Sequence, residues 1–130
     1  VILVDTTVWI DFFNDRRTPQ VEKLRDLIEN SEDICICGVI LTEILQGIRV
    51  EKQYAKTKSY LEHLVYLPMH YSTFIKSADI FRYLRHRGIT IRKPIDCMIA
   101  AVSVENDIPL LHNDRDFDHI EAYKGFKTFE

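Results

Sequence analysis

The sequence predicts an α/β sandwich built around a mostly parallel sheet. Two observations carry this. Short, wholly apolar runs at Val1–Val4, Ile34–Cys37 and Ile108–Leu111 have the pattern of strands buried on both faces. Between them lie segments whose apolar residues recur at helical spacing, and strands alternating with helices point to parallel pairing with helical crossovers.

The first strand ends abruptly at Asp5. Thr6 and Thr7 can then cap a helix through Val8-Trp9-Ile10-Asp11-Phe12-Phe13, closed by Asn14 and Asp15. Thr18-Pro19 starts a second helix, with Val21, Leu24, Leu27 and Ile28 on its inner side. Ile34-Cys35-Ile36-Cys37 reads as the second strand, and Gly38 opens a helix carrying Val39, Ile40, Leu41, Ile44 and Leu45. A polar helix is expected over Glu51–Leu64, followed by an apolar bridge, Val65-Tyr66-Leu67, that Pro68 stops. Ser72–His86 is a long helix with Phe74, Ala78, Phe81 and Leu84 inward and Gly88 past its end. Pro94 begins a helix to about Asn106, Ile108–Leu111 is a strand, residues 112–117 form a polar loop, and Phe126-Lys127-Thr128 is a last strand.

With 130 residues, no repeat and no linker, one domain over 1–130 is expected. A 28% charged content and 46% apolar or aromatic content exclude a disordered chain. The net charge of -3 excludes a uniformly basic nucleic-acid binder, so any such substrate must meet a local basic patch or bound metal. The three cysteines are odd in number. Cys35 and Cys37 share a face of an apolar strand, which suits buried thiols in a reducing cytoplasm better than a disulfide framework or a zinc site. No run approaches the roughly 20 apolar residues of a membrane span, and no signal or anchor is expected.

Functional groups in such a sheet gather beyond the carboxyl ends of the strands. Asp5 follows the first strand directly, Asp114 and Asp116 follow a late one, and Asp96 lies in the first turn of a helix. Glu43 sits inside a helix among apolar neighbours, where a charge needs a partner. If these acids converge, their repulsion calls for a cation. Carboxylates without His or Cys favour Mg²⁺ or Mn²⁺ over zinc, and such ions suit phosphodiester hydrolysis. Singly, each acid also fits a plain structural role: Asp5 as an N-cap, Asp96 as a first-turn acid, Asp114 and Asp116 as turn residues. Spacing alone does not bring them together.

Four pieces in order, Val4-Asp5-Thr6-Thr7-Val8-Trp9-Ile10, Leu41-Thr42-Glu43-Ile44-Leu45-Gln46-Gly47, Ile95-Asp96-Cys97-Met98-Ile99-Ala100-Ala101 and Leu111-His112-Asn113-Asp114-Arg115-Asp116-Phe117-Asp118, resemble the motifs of VapC-type PIN-domain toxins. The resemblance runs over essentially the whole chain. It implies a three-layer α/β/α sandwich, with Asp5, Glu43, Asp96 and Asp114 as metal-binding and catalytic acids and Asp116 as a further acid. Thr6 and Thr7 match the hydroxyl residues that support a carboxylate or a metal-held water. The implied activity is Mg²⁺- or Mn²⁺-dependent endoribonuclease cleavage that stops translation. The implied partners are RNA, a cognate VapB-type antitoxin and a second copy of the chain, in a homodimer and in toxin–antitoxin hetero-oligomers.

Arg82, Arg85, Arg87, Arg92 and Lys93 form a candidate RNA-docking patch, although they equally suit a cationic helix end. Trp9, Phe12 and Phe13 give the first helix a broad aromatic face for so short an element; part of it should be core, and the surplus suits a dimer or antitoxin groove. The histidines lack zinc-ligand spacing, and His112 is expected to pack or hydrogen-bond beside the acidic loop. A haloacid-dehalogenase-type phosphatase would need a second aspartate at position 7, where Thr7 stands. A receiver domain lacks its central aspartate and late lysine. An idle PIN-like binder would have lost acids that are all present.

Overall fold

The computed structural model describes residues 1–130. In chain order the elements are β1 (Ile2–Val4), α1 (Thr6–Phe13), α2 (Pro19–Glu29), β2 (Ile34–Cys37), α3 (Gly38–Gln46), α4 (Glu51–Leu61), β3 (Val65–Leu67), α5 (Tyr71–His86), α6 (Pro94–Glu105), β4 (Leu110–Leu111) and α7 (Arg115–Ile120). The four strands pair in the order β3-β2-β1-β4, and every pair is parallel. All residues of β1, β2 and β4 are buried. Because successive side chains point to opposite faces, helices must cover the sheet on both sides, which gives the three-layer α/β/α sandwich.

One cluster of 28 buried residues joins the sheet to Val8, Trp9, Ile40, Ile80, Leu84, Ile99 and Phe117 on the helices. Cys35, Cys37 and Cys97 are free and buried, as apolar strands and a core helix require. No helix is long and apolar enough to cross a membrane.

The helix boundaries follow local chemistry. Thr18 caps α2 by accepting the Val21 N–H, and Pro19 supplies a fixed first-turn φ. Helices α1, α2 and α6 each end at an asparagine, and the next residue (Asp15, Ser31, Asp107) turns into the left-handed region with φ of 56°, 55° and 51°. Gly88 takes φ +80° just beyond α5, the expected stop.

Five sequence expectations need correction. Val65–Leu67 is not a bridge but an edge strand, exposed because nothing pairs beyond it. The polar helix stops at Leu61, three residues early. The inward face of α5 is Thr73, Ser77, Ile80 and Leu84, which leaves Phe74 about half exposed. The loop expected over 112–117 gives way at Arg115 to α7, because the Asp114 carboxylate caps the Asp116 N–H and Phe117 and Ile120 are buried one turn apart. The last strand shrinks to a single parallel bridge between Thr128 and Leu110.

Candidate active site

The sheet order places β1 beside β4, and their shared carboxyl edge builds the site. The ladder continues past the strand, with the Asp5 N–H donating to the Leu111 carbonyl at 2.9 Å. Asp5 therefore stands next to the loop that runs from His112 to Asp114. His112 steadies this loop: its Nδ1 accepts the Asp114 N–H at 3.3 Å, Nε2 meets Thr128 at 3.1 Å, and the ring packs 5.0 Å from Phe117. Burial lowers the His112 pKa, which keeps the ring neutral and able to accept.

Asp96 enters from the first turn of α6. Its carboxylate, with those of Asp114 and Asp116, offers oxygens that all lie within 4.8 Å of one another. Asp96 and Asp116 are buried, and Asp114 is half-buried. Burial is the main reason the Asp96 carboxyl is pushed up to about 8; Lys93 resists, while a hydrogen bond shared with Asp116 and the charges of Asp5 and Asp114 add to the rise. Its Oδ2 is buried without any hydrogen-bond partner. Burial also raises Asp5 to about 6, against the hydroxyl of Thr7 and with the charge of Glu43 adding. Asp114 goes the other way. Burial would raise it, but the Lys93 ammonium, the Asp116 N–H and the charge of Arg92 outweigh that and hold it below the usual carboxylate range.

Asp5 and Glu43 lie outside the tight trio and are held by the two threonines that follow Asp5. Thr6 Oγ1 donates to Glu43 Oε1 at 2.7 Å, and Thr7 Oγ1 donates to Asp5 Oδ2 at 2.9 Å. Neither threonine serves as a helix cap. Asp5 holds the cap position, its side chain makes no capping bond, and both hydroxyls go to carboxylates instead. Thr6 is thus the partner that Glu43, placed mid-helix, requires.

The expected basic patch divides. Arg92 Nε is 3.5 Å from Asp116 and Lys93 Nζ is 2.6 Å from Asp114, so both stand at the acids. Arg82, Arg85 and Arg87 form no ion pair with them. Arg85 lies over Phe81 and Arg87 over Tyr83, both on the far stretch of α5. A residue without an assigned role in the sequence takes the vacant cationic place: Arg115 lines an open cleft of 670 Å³ with Thr90, Arg92, Asn113, Asp114, Asp116 and His119. Its position between two site acids was the only signal in the sequence.

The donor set fits a hard divalent cation. It consists of carboxylate oxygens alone, converging where one buried oxygen has no hydrogen bond and where two carboxyls resist ionising. Asp96, Asp114 and Asp116 are placed to hold such an ion, with Asp5 adjoining.

Comparison with known proteins identifies the family. The PIN domain family model matches residues 2–123. The chain is 32% identical over 122 residues to VapC ribonuclease Mb1587 of Mycobacterium bovis, covering 92% of this chain and 91% of that protein. It is 28% identical over 130 residues to ribonuclease VapC1 of Methanocaldococcus jannaschii, covering 99% and 87%. Among solved structures, the fold superposes on VapBC2 of Rickettsia felis bound to a promoter DNA fragment with a TM-score of 0.78 at 18% identity, covering 98% and 96%. It superposes on FitAcB of Neisseria gonorrhoeae with a TM-score of 0.75 at 19% identity, covering 100% and 97%.

Proposed function

Because the chain belongs to the PIN-domain family and, within it, to the VapC ribonucleases, we propose that it is an Mg²⁺- or Mn²⁺-dependent endoribonuclease, the toxin of a type II toxin–antitoxin pair, whose cleavage of RNA stops translation and growth. One observation carries this reading: the carboxylates of Asp96, Asp114 and Asp116 converge within 4.8 Å, Asp96 Oδ2 is buried without a hydrogen bond, and Asp114 and Asp116 line a cleft edged by arginines.

A divalent ion held by Asp96, Asp114 and Asp116, with Asp5, would activate water and neutralise the charge that develops on the scissile phosphate. The residues of the chain do the rest. Arg92 and Arg115 line the cleft and supply forked donors for phosphate oxygens, fixing the phosphodiester above the acids. Glu43, with Oε1 anchored by Thr6, has Oε2 free to take the proton of the attacking water. Thr7 fixes the rotamer of Asp5. Water would add to phosphorus as the P–O bond to the leaving ribose oxygen breaks, the water's proton passing to Glu43 and the leaving oxygen taking up a proton from solvent.

The partner is proposed to be a VapB-type antitoxin, in hetero-oligomers that include a toxin homodimer. Support comes from a cleft of 220 Å³ whose lining is led by Ile10, Phe13, Ile44, Ile48 and Val50. Buried free thiols fit a cytoplasmic home, where cysteines stay reduced.

The test is incubation of the purified chain with a cellular RNA pool and Mn²⁺ or Mg²⁺, against EDTA and an Asp96→Asn control. Discrete products that need the metal and vanish in the control are expected. RNA left intact in every metal and salt would overturn the nuclease reading in favour of a binding protein.

A further inference from the structure

The acid cluster has a cation of its own chain at its mouth. Lys93 occupies the N-cap position of α6, one turn before Asp96. Its Nζ lies 2.6 Å from Asp114 Oδ2 and 3.8 Å from Asp96 Oδ2. These are two of the three carboxylates that converge, and the second oxygen is the buried one without a hydrogen bond.

Lys93 differs from an ordinary surface ion pair in two ways. Its backbone N–H points to Asp116 Oδ2 at 3.3 Å, so the main chain is fixed to the cluster while the flexible stem and ammonium, about half exposed, can leave. Arg92 carries the same charge but approaches from outside, no nearer than 3.5 Å, with a side chain 72% exposed. The ammonium of Lys93 makes the shorter hydrogen bond, 2.6 Å to Asp114 against 3.5 Å from Arg92 to Asp116.

Resting on the divalent-metal reading above, we propose that the Lys93 ammonium and the divalent ion compete for the same oxygens of Asp96 and Asp114, and that the displaced ammonium takes an RNA phosphate, so that Lys93 couples metal binding to RNA binding. A hard divalent ion of the Mg²⁺ type needs carboxylate oxygens at roughly 2.0–2.1 Å. The Asp114 Oδ2 lone pair aimed at the ammonium is therefore unavailable to both cations, and their charges repel. Once lifted away, the ammonium lies beside the cleft where Arg92 and Arg115 already favour phosphate. By linkage, RNA then tightens the metal by the same factor by which the metal tightens RNA.

The experiment is Mn²⁺ titration calorimetry on the full chain and on Lys93→Met, with and without a single-stranded RNA. All proteins carry Glu43→Gln to suppress cleavage, and intact RNA is confirmed by gel. Thermal melts establish folding, and Lys93→Gln repeats the measurement with a polar stem. Lys93→Met is expected to bind Mn²⁺ alone about three- to tenfold tighter, within the ordinary range of coupling between sites, and to lose the tightening that RNA induces. Arg92→Met controls for simple removal of a charge and should change Mn²⁺ affinity less while keeping the coupling. A second readout is acetylation of Lys93, followed by mass spectrometry, which should rise with Mn²⁺ and fall again when RNA is added. Equal Mn²⁺ affinity in the parent and Lys93→Met, equal coupling in both, or acetylation indifferent to Mn²⁺ would overturn the inference and leave the metal site standing. The chain with Glu43 intact is also titrated with Mn²⁺ in the absence of RNA, and failure of every protein, this one included, to bind Mn²⁺ would remove the metal site itself, and the inference with it.

Discussion

Burial holds the Asp96 carboxyl at about 8 and the Asp5 carboxyl at about 6, whereas both titrate near 3.8 in the unfolded chain. A group that binds its proton more tightly when folded costs nothing while both states are protonated. Its cost grows as pH rises from near the unfolded value and is complete above the folded one. Through these two groups the metal-free protein should therefore lose stability from about pH 4 up to about pH 8, against a smaller gain from Asp114 and His112, whose lowered values favour the folded state as pH rises. Chemical denaturation across that range checks the sign, and stability rising with pH would refute it. Asp96→Asn should flatten the upper part of the curve and stabilise the metal-free protein at pH 8 by about 1–2 kcal/mol, while abolishing cleavage. Thr6→Val tests a positioning role. With the Glu43 anchor gone, kcat should fall about 10–100-fold, as for other residues that orient a site's ligands, with little change in KM. An unchanged kcat would show that Glu43 needs no anchor. At this scale the sequence indicated which acids to examine, because Asp5, Asp96, Asp114 and Asp116 follow a strand or open a helix and Glu43 is a charge set among apolar neighbours inside one. It did not reveal where Lys93 reaches. A lysine three residues before Asp96 reads as part of a basic run, and only the rotation of the first turn of α6 carries its Nζ to Asp114, 21 positions away.

Helix α5 shows how an amphipathic pattern can mislead. Phe74, Ala78, Phe81 and Leu84 make an apolar stripe, yet the buried line is Thr73, Ser77, Ile80 and Leu84, rotated by one residue over the first three turns. The Thr73 hydroxyl is satisfied by Glu105 at the end of α6, which also accepts from Ser72, so this polar start is pinned to its neighbour and settles which side faces in. Ile80→Ala should cost about 2–5 kcal/mol, while Phe74→Ala, on the exposed side, should change stability by less than about 1 kcal/mol. Urea melts of the two variants decide it, and a reversed order would restore the stripe read from the sequence. Helix α7 was hidden for a related reason. Six residues with only Phe117 and Ile120 apolar give too short a period to recognise, and its start depends on the capping of the Asp116 N–H by Asp114. Strong periods such as α2, and fully apolar runs such as β1 and β2, were legible because burial alone dictates them. The edge strand β3 was not, since its exposed side chains say little about a backbone paired on one side only.

The parallel character of the sheet follows from alternation along the chain, but the order β3-β2-β1-β4 does not, because pairing of β1 with β4 joins residues more than a hundred positions apart. That single adjacency turns three of the four scattered motifs into one site, by setting Asp5 beside the loop of Asp114 and both beside the start of α6, while Thr6 draws in Glu43 from α3. It also divides the positive charge of a molecule whose net charge is -3. Arg92, Lys93 and Arg115 border the acids, whereas Arg82, Arg85 and Arg87 lie along α5 against the rings of their own helix or facing solvent. If RNA phosphates meet only the first group, about three counterions are released on binding. With a slope of about -0.7 per contact for single strands, log Kobs against log salt should then fall with a slope of about -2. Participation of all six cations would bring it to about -4. Fluorescence anisotropy with a labelled single-stranded RNA over a salt series, using Glu43→Gln protein to prevent cleavage, distinguishes the two. Arg92→Gln should make the slope shallower by about 0.7. A combined Arg82→Gln, Arg85→Gln, Arg87→Gln variant should leave it unchanged, and a slope near -4 that this variant halves would instead extend the RNA path along α5.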